Sequence, residues 1–213
     1  PLQDVLTSEA ISTVLISADR GLQAIPFSAL AHQGQYAVEN ISFSFTPSLS
    51  LTDLSIPLDN PEIDQILIMG STEFSGLAPL PFVNQEVANI GQYYGAKSVL
   101  GEQFTSTRAV SDLRSSDQSL IHLATHADFK GGSPDQSVIH TSDGSISFES
   151  FKSIRRERQS NPVSLFVLSA CRSALGDSDS EMGFAGMALQ AGSKSAIGSL
   201  WYVDDVATSA FFS

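Results

Sequence analysis

Leu165-Phe166-Val167-Leu168-Ser169-Ala170-Cys171-Arg172 decides how the chain is read. Its first four residues are apolar without alternation, the pattern of a strand buried on both faces of a parallel sheet. The run breaks at Ser169 and Ala170, so Cys171, the only cysteine of the 213 residues, stands where the strand opens into a loop. In open α/β sheets that carboxyl edge collects ligands and catalytic groups. A second stretch, Ser119-Leu120-Ile121-His122-Leu123-Ala124-Thr125-His126, has the same build and ends on a histidine. The two runs bring a thiol and an imidazole to the ends of two buried strands.

Strand and helix signals alternate around these runs. Ile66-Leu67-Ile68-Met69-Gly70 predicts a strand, and residues 81–94 carry Val83, Val87, Ile90 and Tyr94 at helical spacing. Residues 98–101 form a further short strand, and Thr105 or Ser106 caps a helix bearing Ala109, Val110 and Leu113. Ser142-Asp143-Gly144 marks a hairpin turn, residues 151–158 a basic helix, 183–191 a helix and 195–201 a strand. This alternation predicts an α/β fold, a three-layer α-β-α sandwich with a mostly parallel central sheet. The N-terminal third reads as strands at residues 14–17, 24–27 and 36–38 and through Ile41, Phe43 and Phe45, followed by a surface connection over residues 47–61. Pro1 is no natural start, and the helical pattern opened by Asp204-Asp205 stops without a cap; both ends suggest one domain, residues 1–213, taken from a longer chain.

With 42% hydrophobic residues the chain can bury a full core. Its net charge of −12, with basic residues scattered, lacks the footprint that phosphate binding needs, so direct nucleic-acid binding is not expected. No apolar stretch reaches the ~20 residues that span a bilayer, so no membrane association is expected. One cysteine cannot form an internal disulfide, which suits a reducing compartment such as the cytoplasm.

A cysteine becomes a strong nucleophile beside a base that favours its thiolate. His126 lies 45 residues before Cys171, enough chain for one right-handed crossover that sets their strands side by side or nearly so. The backbone N–H groups of Cys171 and Ala127 are candidate oxyanion donors. The competing readings are a buried, inert thiol and a structural histidine. His122, four residues before His126, shares its strand face and is expected to be buried and hydrogen-bonded, while His32 and His140 sit in turn-like contexts and are expected to be solvated. Four scattered histidines and one thiol offer no metal-ligand spacing, so neither a metal nor a cofactor is expected. Residues 154–160, with three arginines, read as a solvated helix face or alternatively a self-cleavage or docking segment. Residues 176–181, acidic and adjacent to the cysteine, read as a surface loop or gate.

The motifs Ile121-His122-Leu123-Ala124-Thr125-His126-Ala127 and Leu168-Ser169-Ala170-Cys171, with residues 183–188 and 196–205, resemble the CHAT family, caspase-like domains related to separases and often attached to tetratricopeptide repeats. Residues 18–30 resemble the start of such domains. The resemblance implies a caspase-like fold and a cysteine endopeptidase in which His126 is the general acid/base and Cys171 the nucleophile. It also implies that Asp205, or its neighbour Asp204, selects Arg or less well Lys in the substrate through charge-assisted pairing. The expected partners are a protein or peptide substrate and a tetratricopeptide-repeat region in the same parent chain. Ala127 replaces the glycine common in the family yet keeps its N–H, and Arg172 departs from the acidic or polar residue usual after the cysteine. An inactive CHAT scaffold that binds partners is the alternative reading.

Overall fold

A computed structural model describes residues 5–6, 8–18, 22, 25–46, 48–49, 52, 66–115, 117–130, 136–170, 183–199 and 204–212. The chain divides into two compact units, Pro1–Pro57 and Leu58–Ser213.

In the first unit, β1 (Thr13–Ile16) pairs in parallel with β4 (Ser42–Phe45), placing Val14 opposite Phe43 and Ile16 opposite Phe45. Between them lies a tight hairpin of β2 (Ala31–His32) and β3 (Gln35–Tyr36), turned by Gln33 and Gly34 at φ 53° and 82°. The expected strand over residues 24–27 is corrected: Phe27–Ala29 form a 3-10 turn that begins after Pro26. Proline has no N–H to give to a ladder, and its ring fixes φ. Ala37–Glu39 likewise form a 3-10 turn where residues 36–38 read as a strand. The turn proposed at residues 19–21 and most of the 47–61 connection lie outside the described residues.

The second unit is built on a five-stranded sheet of β5 (Ile66–Gly70), β6 (Ala96–Leu100), β7 (Leu120–Ala124), β11 (Leu165–Ser169) and β12 (Ser195–Gly198). Their order is β12-β11-β7-β5-β6 and every pairing is parallel. Alternate side chains leave opposite faces of each strand, which divides the core in two. On one face Leu67, Met69, Val99, Ile121, Leu123, Phe166 and Leu168 join α2 (Ser106–Ser115), α3 (Phe148–Glu157) and α4 (Gly183–Gln190). On the other, Ile66, Ile68 and Ala124 pack against Val83, Val87 and Ile90 of α1 (Val83–Tyr93). The last helix, α5 (Asp205–Phe212), lies beside α1 on that second face, where Phe212 meets the ring of His122. The fold is therefore the three-layer α/β sandwich expected. Fully burying a Leu, Ile or Phe contributes about 1.5–3 kcal/mol each, and these two layers hold the structure together.

A small antiparallel sheet of β8 (Ala127–Asp128), β9 (Val138–Thr141) and β10 (Gly144–Ser147) lies between β7 and α3 in sequence, with the expected hairpin turn at Ser142-Asp143. Asp143 reaches out of that turn to accept the Ser106 N–H at 2.7 Å, while Thr105 accepts from Arg108 N–H, so α2 is capped twice at its N-terminus. The basic segment differs from expectation. Arg155 and Arg156 are exposed, but Arg158 is buried and donates to the carbonyls of Asn161, Leu113 and Gln118. Burial pulls its guanidinium below the ordinary value, partly opposed by the charge of Asp117. Among the described residues no helix is long and apolar enough to cross a membrane.

Candidate active site

The chain passes from β5 outward to β6 and then returns to the other side of β5 to form β7, so the strand order reverses between β5 and β7. In open α/β sheets such a reversal, outside the carboxyl ends of the strands, is where ligands bind. His126 stands there, two residues past the end of β7.

The loop after β5, residues 71–82, grips its ring. Nε2 of His126 lies 2.8 Å from the carbonyl oxygen of Ala78, and Phe74 meets the imidazole edge-on with ring centres 4.9 Å apart. A carbonyl only accepts, so Nε2 is the nitrogen that carries hydrogen, and in the neutral ring Nδ1 keeps the lone pair. The loop is itself braced: Leu80 N–H donates to Thr72 O at 2.9 Å, and the Ser71 hydroxyl donates to Glu73 O at 2.7 Å. His126 is thus a half-buried imidazole held in one tautomer.

β7 and β11 are direct neighbours, with Ala124 opposite Ser169 at the end of the ladder. One further bond, Thr125 N–H to Ser169 O at 3.2 Å, continues the pairing past the strand ends. His126 and Cys171 follow those paired residues by two positions each. Cys171, Arg172 and the acidic segment 176–181 lie outside the described residues, as does the end of the strand expected over residues 195–201. The preceding residue, Ala170, is held through its carbonyl by the Ser199 hydroxyl beyond β12.

Ala127 pairs with Ile139, and His140 N–H donates to His126 O at 2.9 Å. That pattern makes Ala127–Ile139 a non-hydrogen-bonded pair, so the Ala127 N–H points away from β9. Asp204 and Asp205 do different things. Asp204 Oδ1 accepts from Val206 and Ala207 N–H at 3.0 and 3.2 Å, which makes it the N-cap of α5. Asp205 Oδ2 accepts from Phe82 N–H at 3.0 Å, at the start of α1. Phe82 closes the loop whose Ala78 holds His126, so a single loop touches both the imidazole and Asp205.

The other histidines separate cleanly. His122 is 3% exposed, bonded through Nε2 to Glu86 at 2.5 Å. His140 pairs with Asp128 at 2.8 Å and is only partly exposed, whereas His32 is exposed on its hairpin. Among the described residues no three His, Cys, Asp or Glu side chains gather as metal ligands. Two groups bonded to the histidines of β7 and its loop differ in what the sequence shows of them. The Ala78 carbonyl is a backbone group with no side-chain signal, while Glu86 had one: a carboxylate in the middle of the Val83, Val87, Ile90 stripe.

No curated protein matches the chain. The model of the CHAT domain, a caspase-like, peptidase-related family, matches residues 1–213. With that match over its whole length and a five-stranded parallel sheet layered by helices, the chain belongs to the CHAT domain family.

Proposed function

We propose that this domain is a cysteine endopeptidase in which His126 and Cys171 act as a catalytic pair. The observation that carries the reading is the in-register pairing of β7 with β11, whose next residues but one are His126 and Cys171, together with a His126 ring anchored through Nε2 to the Ala78 carbonyl. Nδ1 of His126 takes the thiol proton, and the thiolate attacks the scissile carbonyl carbon. The N–H groups of Ala127 and Cys171 stabilise the resulting oxyanion. The tetrahedral adduct collapses as the imidazolium protonates the leaving amine, leaving a thioester on Cys171. Water, deprotonated by His126, then hydrolyses the thioester, releases the acid product and restores the thiol.

Specificity for Arg, or less well Lys, is assigned to Asp205 rather than Asp204. Asp204 caps α5, whereas Asp205 is the half-buried carboxylate tied to the loop that holds His126. A partly desolvated carboxylate pairs well with a guanidinium. A tetratricopeptide-repeat region of the parent chain is the proposed regulator and the cytoplasm the proposed setting, where the single thiol stays reduced.

The test incubates the parent protein and its Cys171→Ala variant with an Arg- and Lys-containing peptide library. Cleavage after basic residues that vanishes in Cys171→Ala is expected, and Asp205→Ala then lowers kcat/KM for Arg peptides about tenfold or more while sparing neutral ones. Cleavage that persists without the thiol refutes the mechanism. An absence of cleavage in both proteins favours a binding scaffold, and an unchanged Arg preference in Asp205→Ala removes its role.

A further inference from the structure

Glu86 lies on α1 among Val83, Val87 and Ile90, and 1% of it is exposed. An apolar side chain would fill that place without electrostatic cost, whereas a buried carboxylate is tolerated only when hydrogen-bonded. Both of its oxygens are engaged. Oε1 is hydrogen-bonded to Nε2 of His122 at 2.5 Å, and Oε2 accepts from the Ser169 hydroxyl at 3.2 Å.

Those partners belong to different strands. His122 is on β7, four residues before His126, and Ser169 ends β11, two residues before Cys171. One carboxylate therefore clamps the two adjacent strands that lead into the proposed catalytic pair, and ties both to α1. Phe212 of α5 closes the cluster by meeting His122 edge-on, with ring centres 5.3 Å apart.

We propose that Glu86 is a positioning residue: through His122 in the middle of β7 and Ser169 at the end of β11 it locks the two strands in register and so sets the placement of His126 against Cys171, an inference that rests on the peptidase reading above. Its action is indirect, because Glu86 is bonded to the strands and not to His126.

Amide hydrogen exchange on the full chain reads this without a substrate. Glu86→Gln keeps the side-chain shape but presents a donor where the carboxylate had an oxygen. The Thr125 amide, bonded to Ser169 O, is expected to exchange about tenfold faster, while amides of the β5–β6 ladder keep wild-type protection. Wild-type protection at Thr125, or equal loosening of both ladders, overturns the proposal. The combined variant Glu86→Met, His122→Leu, Ser169→Ala removes the polar cluster without leaving an orphaned buried charge, so it is expected to fold. It should show the same local loosening at Thr125, and wild-type protection there also overturns the proposal.

The iodoacetamide rate at Cys171, the only thiol of the 213 residues, separates the role of Glu86 from the catalytic pair itself. A fast wild-type rate that falls about tenfold in Glu86→Gln supports positioning. A fast rate unchanged in Glu86→Gln overturns the role of Glu86 alone, whereas a wild-type rate equal to that of free cysteine overturns the paired thiol and the positioning role with it.

Discussion

Replacing Gly70 by alanine tests how closely β5 and β7 approach at their carboxyl ends. Gly70 ends β5 opposite Ala124. A Cβ built there runs into the carbonyl oxygen of Ala124 and lies 3.2 Å from both Ala124 Cβ and Val83 Cγ1. The first of these is a backbone atom on the neighbouring strand, so it moves only if the strands part. Overpacking a core costs about 1–3 kcal/mol, and a clash with backbone belongs at the upper end. For a chain of this size, about 2–3 kcal/mol corresponds to a fall in melting temperature of roughly 5–10 °C. Gly91→Ala is the control. Gly91 sits in α1 with no atom within 4 Å of an added Cβ, so alanine there gains about 0.5–1 kcal/mol through helix propensity and a less flexible unfolded chain. The assay is urea denaturation at constant m, supported by thermal melts. The same substitution should carry opposite signs at the two positions. Equal shifts, or a loss below about 1 kcal/mol at Gly70, would mean that β5 and β7 leave room for a side chain there.

Two further outcomes follow from polar groups away from His126. The Ser106 N–H, aided by the Thr141 hydroxyl, holds the Asp143 carboxyl below its ordinary value of 3.8, so the folded state binds fewer protons there than the unfolded state. Its stabilising contribution is present above the unfolded pKa and is lost as pH falls through the folded one; Asp143→Asn should flatten the acid limb of the stability-pH curve, and an unchanged limb would contradict the assignment. Arg158→Lys replaces a three-way fork with one ammonium and orphans buried carbonyls, which should cost about 1–3 kcal/mol in urea denaturation; a neutral result would mean that the fork contributes nothing.

The sheet was legible because β5, β7 and β11 are short apolar runs whose residues face a core on both sides, and α1 was legible from its apolar stripe. The positions of His126 and of the strand before Cys171 followed from where those runs ended. The surroundings were less so. Glu86 meets His122 and Ser169 across 36 and 83 residues of chain, distances over which local periodicity carries no information. The Ala78 carbonyl is contributed by backbone geometry. Arg158 shares a basic run with Arg155 and Arg156, yet it follows the last turn of α3, where the chain bends back and turns its guanidinium inward onto three carbonyls. Pro26 overrode the strand tendency of Ile25 and Phe27 by denying a ladder bond.

Activation of Cys171 by His126 is read from the pH dependence of iodoacetamide alkylation in the wild type and in His126→Ala. The paired thiol should react well below the free-cysteine pKa of about 8.5, and His126→Ala should return the profile to that of an ordinary thiol. Coincident profiles that both follow free cysteine would mean that His126 does not activate Cys171.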